Sequence, residues 1–144
     1  MASVNNMSYM FREAYYFNQP LDDWNVASVT DMYAMFQVAT NFNQALNDWN
    51  VASVNKMNSM FVASYEYVHN FNQPLDDWNV ASVTSMASMF RDATNFNQTL
   101  NDWNVASVNN MTFILLSKKL QYHLPLFLLV YDALLIVILF NEWT

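Results

Sequence analysis

A six-residue string that recurs along the chain constrains its fold more than any other feature. A partial copy, Ala2-Ser3-Val4, which lacks the first three residues of the string, opens the chain. Each complete copy begins with a tryptophan, and successive tryptophans are 25, 29 and 25 residues apart. The full string Trp-Asn-Val-Ala-Ser-Val begins at four places: Trp24, Trp49, Trp78 and Trp103. A period in this range is typical of supersecondary units that stack on one another. The sequence therefore predicts a repeat solenoid with about 25 residues per coil.

The segment after each copy of the string predicts a short helix. In the second coil the apolar residues follow helical spacing: Val29, Met32, Met35, Phe36 and Ala39. Ser28 and Asp31 resemble a capping box, and we predict a helix over 29–38. So short a helix is marginal alone, so packing on neighbouring coils must hold it. Its methionine stripe is typical of a core, and a partner groove is the alternative.

A second recurring string, Phe-Asn-Gln-x-Leu, predicts one short strand per coil. Its Phe and Leu suit either a helix face or a strand face, but Pro20 and Pro74 disfavour a helix. Coils stacked about 4.8 Å apart would align identical amides. This predicts one asparagine ladder and one glutamine ladder: Asn18, Asn43, Asn72 and Asn97, beside Gln19, Gln44, Gln73 and Gln98.

The aromatic residues at equivalent positions are the predicted repeat core. The tryptophans should stack in a column that closes each coil, an arrangement favoured over a sugar-binding face. The core residues are these: Trp24, Trp49, Trp78, Trp103, Phe36, Phe61, Phe90, Phe42, Phe71 and Phe96. Together the patterns predict an α/β repeat solenoid, leucine-rich-repeat-like, with one short helix and one short strand per coil and an apolar C-terminal helix.

Composition argues against several classes of function. The net charge is −7 and the five basic residues form no patch within the repeats, which disfavours nucleic-acid binding. The chain has no cysteine for a thiolate site and no glycine for a phosphate loop. Because glycine is absent, backbone positions in the left-handed region should be occupied mostly by Asn and Asp. His69 and His123 lack a paired nucleophile. A solvated edge explains the aspartates before the tryptophans better than bound calcium. We predict no catalytic, cofactor or metal residue and no enzyme activity.

The third coil carries a four-residue insertion between Phe61 and Phe71. Insertions in solenoids form loops, and exposed aromatic loops are suited to contact a partner. Tolerated variation without function is the other interpretation. The candidate contact residues are Tyr65, Glu66, Tyr67 and His69.

The chain divides into a repeat domain, 1–115, and an unrelated tail, 116–144. Within the tail, 124–140 is nearly all apolar and spans roughly 25 Å as a helix, close to a bilayer core of about 30 Å. Three interpretations of the tail remain: a transmembrane helix, a translated intron or frameshift, and a hydrophobic cap folded onto the repeats. Lys118 and Lys119 would place the repeats in the cytoplasm, which conflicts with a surface role. No secretory signal is visible, and a fragment of a longer chain explains the partial first coil best.

The register of Met-Phe, Phe-Asn-Gln and Trp-Asn-Val from Ala2 to about Leu115 resembles the BspA-like repeat. This family is related to leucine-rich repeats, was first described in mycoplasma surface lipoproteins and is common in algae and protists. The resemblance implies a leucine-rich-repeat-like solenoid with a cell-surface or adhesion role and no catalytic residues. The insertion and everything after Leu115 depart from it.

We therefore predict a non-enzymatic, monomeric repeat scaffold that binds an unknown protein or a surface glycan, at the membrane or cell surface. Two alternatives remain. One is a small single-pass membrane protein, anchored through 124–140, with a soluble repeat head. The other is a truncated gene-model fragment of a larger surface protein.

Overall fold

The structure, a computed structural model, describes residues 4–64 and 66–114. They form repeats 1 to 5, which stack in register and comprise residues 4–24, 25–49, 50–78, 79–103 and 104–114. These residues contain no helix and no strand longer than an isolated bridge. One column of parallel bridges joins the repeats: Asn6, Asp31, Lys56, Ser85 and Asn110.

The predicted α/β solenoid, with a helix and a strand in each coil, is wrong for the described residues. In the segment predicted as a helix, 29–38, the backbone amides use two kinds of partner. Met35 and Gln37 donate to the carbonyl three residues earlier, whereas Phe36 and Val38 donate to carbonyls of repeat 3 at 3.0 and 2.8 Å. Because the neighbouring repeat offers acceptors to alternate amides, the backbone is satisfied without a helix.

Residues with positive φ mark two corners of the repeats and interrupt any helix there. The first corner has φ between 51° and 63° in all five repeats: Tyr9, Ala34, Ser59, Ser88 and Phe113. The second is occupied by Glu13, Val38 and Asp92. A left-handed non-glycine residue costs about 1–2 kcal/mol, so the bonds between repeats must offset this cost. Of the described residues at these corners, only Asp92 fits the expectation of asparagine or aspartate.

The Phe-Asn-Gln-x-Leu segments lie side by side but form no strand. The backbone N–H of Asn43 donates to the Asn18 side-chain Oδ1 at 2.9 Å, and Asn72 and Asn97 repeat this bond one repeat further on. A side-chain acceptor therefore stands where a strand would use a backbone carbonyl. Glutamines donate to the same oxygens at 2.9–3.1 Å, which gives one mixed ladder instead of two: Gln44, Gln73 and Gln98.

The Trp-Asn-Val-Ala-Ser-Val string folds as two overlapping turns. In its first copy Ala27 N–H donates to Asn25 Oδ1 at 3.1 Å, and Val29 N–H donates to Val26 O at 2.9 Å. The three later copies make the same pair of bonds. Asparagine favours such turns because its short side chain mimics a backbone carbonyl. The local geometry therefore explains why this asparagine recurs.

Two columns of parallel phenylalanine rings fill the core. Centroids of successive rings are 5.4–5.6 Å apart in the first column: Phe11, Phe36, Phe61 and Phe90. The spacing is 5.8–6.0 Å in the second: Phe17, Phe42, Phe71 and Phe96. The two rings of one repeat lie 4.1–4.2 Å apart. All the rings in repeats 2 to 4 are buried, with the methionines packed among them.

The tryptophan of each later repeat contacts the repeat before it. Trp49 Nε1–H donates to Leu21 O at 2.9 Å, and Trp78 and Trp103 make the equivalent bond at 2.8 Å. The rings of Trp78 and Trp103 are parallel, with centroids 6.4 Å apart. Trp24 differs, because 39% of it is exposed against 3% of Trp49. Within the part of the chain that the structure describes, Trp49, Trp78 and Trp103 thus share a hydrogen bond across the repeat junction, and Trp24 does not.

The predicted apolar helix, 124–140, and the whole tail, 116–144, lie outside the described residues. Over residues 4–64 and 66–114, no helix is long and apolar enough to cross a membrane.

We predict that Phe36→Ala lowers the free energy of unfolding by about 3–5 kcal/mol, since it leaves a cavity in the first ring column. Urea denaturation followed by tryptophan fluorescence measures the loss. The matched control is Phe17→Ala, because Phe17 is half-buried and has a column neighbour on one side only. Equal losses in the two variants would contradict the ring-column account.

Asn43→Leu should cost about 1–3 kcal/mol, because the backbone N–H of Asn72 and the Gln73 amide lose their shared acceptor. Asn43→Asp keeps an oxygen at that place and should recover most of the loss. Thermal unfolding of the three proteins at one pH provides the comparison. An aspartate variant as unstable as the leucine variant would show that the acceptor is not what stabilises the ladder.

Candidate interaction surface

The insertion of repeat 3 folds back on itself as a tight hairpin. Ser64 and Tyr67 exchange two backbone hydrogen bonds, at 3.3 and 3.1 Å, and form an antiparallel bridge. Glu66 and Tyr67 are exposed at its tip. Two other residues belong to the predicted contact set, Tyr65 and His69. Tyr65 lies outside the described residues. The paired backbones of Ser64 and Tyr67 thus hold the two ends of the turn together.

The hairpin reaches across repeat 2 to repeat 1. The ring of Tyr67 lies 5.3 Å from that of Tyr15, at an angle of 43°. Between them, Asn70 N–H donates to Thr40 O, and the Thr40 hydroxyl donates to Tyr15 O at 3.0 Å. Three repeats therefore meet at one edge of the stack.

Four exposed side chains form this edge, which we name the aromatic edge: Tyr15, Tyr16, Tyr67 and Val68. Tyr16 is 91% exposed and Val68 55%. Sequence reasoning missed Tyr15, Tyr16 and Val68. A signal existed, because Tyr16 occupies the position at which repeats 2 to 4 carry the asparagines Asn41, Asn70 and Asn95. Those asparagines are joined by side-chain hydrogen bonds, at 3.5 and 3.3 Å, that a tyrosine cannot continue in the same way.

His69 is fully buried and does not belong to the exposed surface. Its Nε2 lies 2.9 Å from Phe36 O, and its Nδ1 accepts the Phe71 N–H at 3.2 Å. These partners require a neutral ring with the proton on Nε2. Burial lowers the pKa of His69 from 6.5 to about 4, although the bond to Phe36 opposes the shift. His69 therefore fastens the insertion to the core.

The acidic corner before the tryptophans shows no metal-binding arrangement. Asn47 Nδ2 donates to Asp77 at 2.5 Å, so an amide of one repeat pairs with a carboxylate of the next. One position of the corner alternates between acid and amide: Asp22, Asn47, Asp76 and Asn101. Alternation reduces repulsion between stacked carboxylates. Among the described residues, no three histidine or acidic side chains are grouped so as to hold a metal ion.

The sequence of the chain matches a known protein family. The model of the family DUF285, described as a Mycoplasma protein of unknown function, matches residues 1–69 and 63–121. The chain belongs to this family. The DUF285 match fits the mycoplasma-type repeat that the sequence resembles, but its description does not include the BspA-like name. Comparison with curated proteins and with solved structures found no match.

We predict a pH dependence that originates from His69. The unfolded chain takes up a proton on this side chain as the pH falls below about 6.5, whereas the folded chain does so only near 4. Stability from the neutral ring is therefore complete above pH 6.5 and decreases by about 3 kcal/mol as the pH falls to 4.

Urea denaturation of the wild type and of His69→Gln, at several pH values between 4 and 7, isolates this contribution. Glutamine can still donate to Phe36 O but does not titrate, so the difference between the two curves should shrink as the pH falls. A constant difference would mean that His69 does not remain neutral in the folded chain.

Proposed function

We propose that this DUF285 protein is a non-enzymatic repeat module that binds a protein partner through the aromatic edge. The observation that carries the proposal is the contact between Tyr15 and Tyr67, which gathers exposed aromatic side chains from two repeats at one place. Tyrosine suits such a role because it offers a large apolar ring, a polar tip and few rotamers to be ordered on binding.

The support beneath the edge favours recognition without rearrangement. The Tyr67 backbone is held in the hairpin, and the Tyr15 carbonyl accepts bonds from Thr40 and Asn41. His69 fixes the base of the insertion. A surface held in this way loses little conformational entropy when a partner binds.

A surface glycan is the second candidate partner. It is favoured by one observation, the 91% exposure of Tyr16, which leaves its ring free to pack on a sugar face. We propose a cell-surface location, which the resemblance to BspA-like repeats implies and with which the DUF285 match is compatible. Anchoring through 124–140 remains a separate prediction.

The test measures binding of the full chain to immobilised panels of surface proteins and of glycans. Tyr16→Ser combined with Tyr67→Ser should lower the affinity for the bound protein or glycan at least tenfold, because two of the three exposed rings of the edge are lost. Tyr9→Ser is the matched control, since Tyr9 is exposed and pairs with Tyr33 instead. Binding that all variants retain equally would refute the proposed edge, and binding to glycans alone would favour the second candidate.

A further inference from the structure

Repeat 1 has an outer face, turned away from repeat 2, that resembles the faces buried between repeats. Met10 is 44% exposed, whereas the equivalent Met35, Met60 and Met89 are fully buried. Phe11, Phe17 and Trp24 are likewise more exposed than their counterparts in repeats 2 to 4. We name this surface the end face.

The end face also carries backbone carbonyl groups whose equivalents in the later repeats accept hydrogen bonds from amides of the preceding repeat. In repeat 2 the carbonyls that accept amides of repeat 1 are those of Asp31, Tyr33, Met35 and Gln37. The equivalent carbonyls of repeat 1 accept no bond from any described residue: Asn6, Ser8, Met10 and Arg12. Their spacing is that of the acceptors at the other repeat junctions.

Donors on the end face complete the pattern. In repeats 2 to 4 the tryptophan Nε1–H donates to a leucine carbonyl of the preceding repeat. The glutamine Nε2 of each of these repeats donates to an asparagine Oδ1 of the preceding repeat. Within the described part of the chain, the equivalent atoms of Trp24 and Gln19 donate to no acceptor. Donors and acceptors are thus arranged as one half of a repeat junction.

We propose that the end face binds a polypeptide segment that carries this same repeat motif. Such a segment supplies amides at the four spaced positions, a leucine carbonyl for Trp24, an asparagine oxygen for Gln19 and two rings to extend the columns over Phe11 and Phe17. The same complete junction already occurs three times within the stack, between repeats 1 and 2, 2 and 3, and 3 and 4, so the occupant is defined by continuity with it. A glycan or lipid offers no comparable row of amides.

The segment folds as it binds. A single repeat cannot bury its apolar residues alone, and it becomes ordered only against a neighbour. The recognition resembles strand addition at a sheet edge, in which backbone bonds supply affinity and side-chain positions supply specificity.

The experiment titrates the full chain into a fluorescein-labelled synthetic peptide with the sequence of residues 79–103, which is one complete repeat. Fluorescence anisotropy should show saturable binding. Met10→Glu should weaken it at least tenfold, because a carboxylate would be buried without a partner at the new junction. Ala45→Glu, which adds the same charge at an exposed position of repeat 2, should leave the affinity unchanged.

A second peptide, with alanine in place of Phe90 and Phe96, should bind at least tenfold more weakly. Concentration-dependent oligomers that the first peptide disperses and that Met10→Glu abolishes would also support the proposal, with a second copy as the source of the segment. Absence of peptide binding, or equal affinity for wild type and Met10→Glu, would overturn it. Neither variant changes the aromatic edge, so this test is independent of the proposed partner there.

Discussion

The stack depends on backbone amides that point from each repeat to the next. In repeat 1 these amides belong to Met7, Tyr9, Phe11 and Glu13, and equivalent residues repeat the pattern in the later repeats. The bonds set a spacing close to that of adjacent strands, about 4.8 Å. Once this spacing is fixed, each side chain meets its own copy in the neighbouring repeat. Phenylalanine rings can then stack in columns, and asparagine oxygens can reach the next backbone amide.

The same constraint explains how much of the fold could be predicted from the sequence. Recurrence of Phe36 and Trp49 at fixed intervals indicated stacking and a shared core, because only neighbouring copies can bury such residues together. The helix at 29–38 was wrong, since the spacing of Met32, Met35 and Phe36 reports which residues face the core and not where their amides bond. Hydrogen bonds to an adjacent repeat leave no trace in periodicity.

The strand prediction failed for a related reason. Asn43 was expected to pair with identical amides in a column, but its side chain replaces a backbone carbonyl as acceptor. At the candidate surface the insertion predicted exposed positions for Tyr67 and Glu66, and both are exposed. His69 was also expected at the surface but is buried, because the sequence does not distinguish a buried histidine that makes two hydrogen bonds from an exposed one. Tyr15 was missed because it lies two repeats away from the insertion and meets it only in the folded stack.

Hydrogen bonds that run along the stack also give the protein a mechanical direction. A force that separates the first repeat from the last would load every junction at once along the direction of its hydrogen bonds, and the weakest junction would open first. A force across the stack would instead shear many rings and amides at once. The insertion of repeat 3 changes this locally, because its contact with Tyr15 bridges repeat 2 and would bear axial tension in parallel with the two junctions beneath it. Resistance to stretching would therefore be concentrated in the first three repeats.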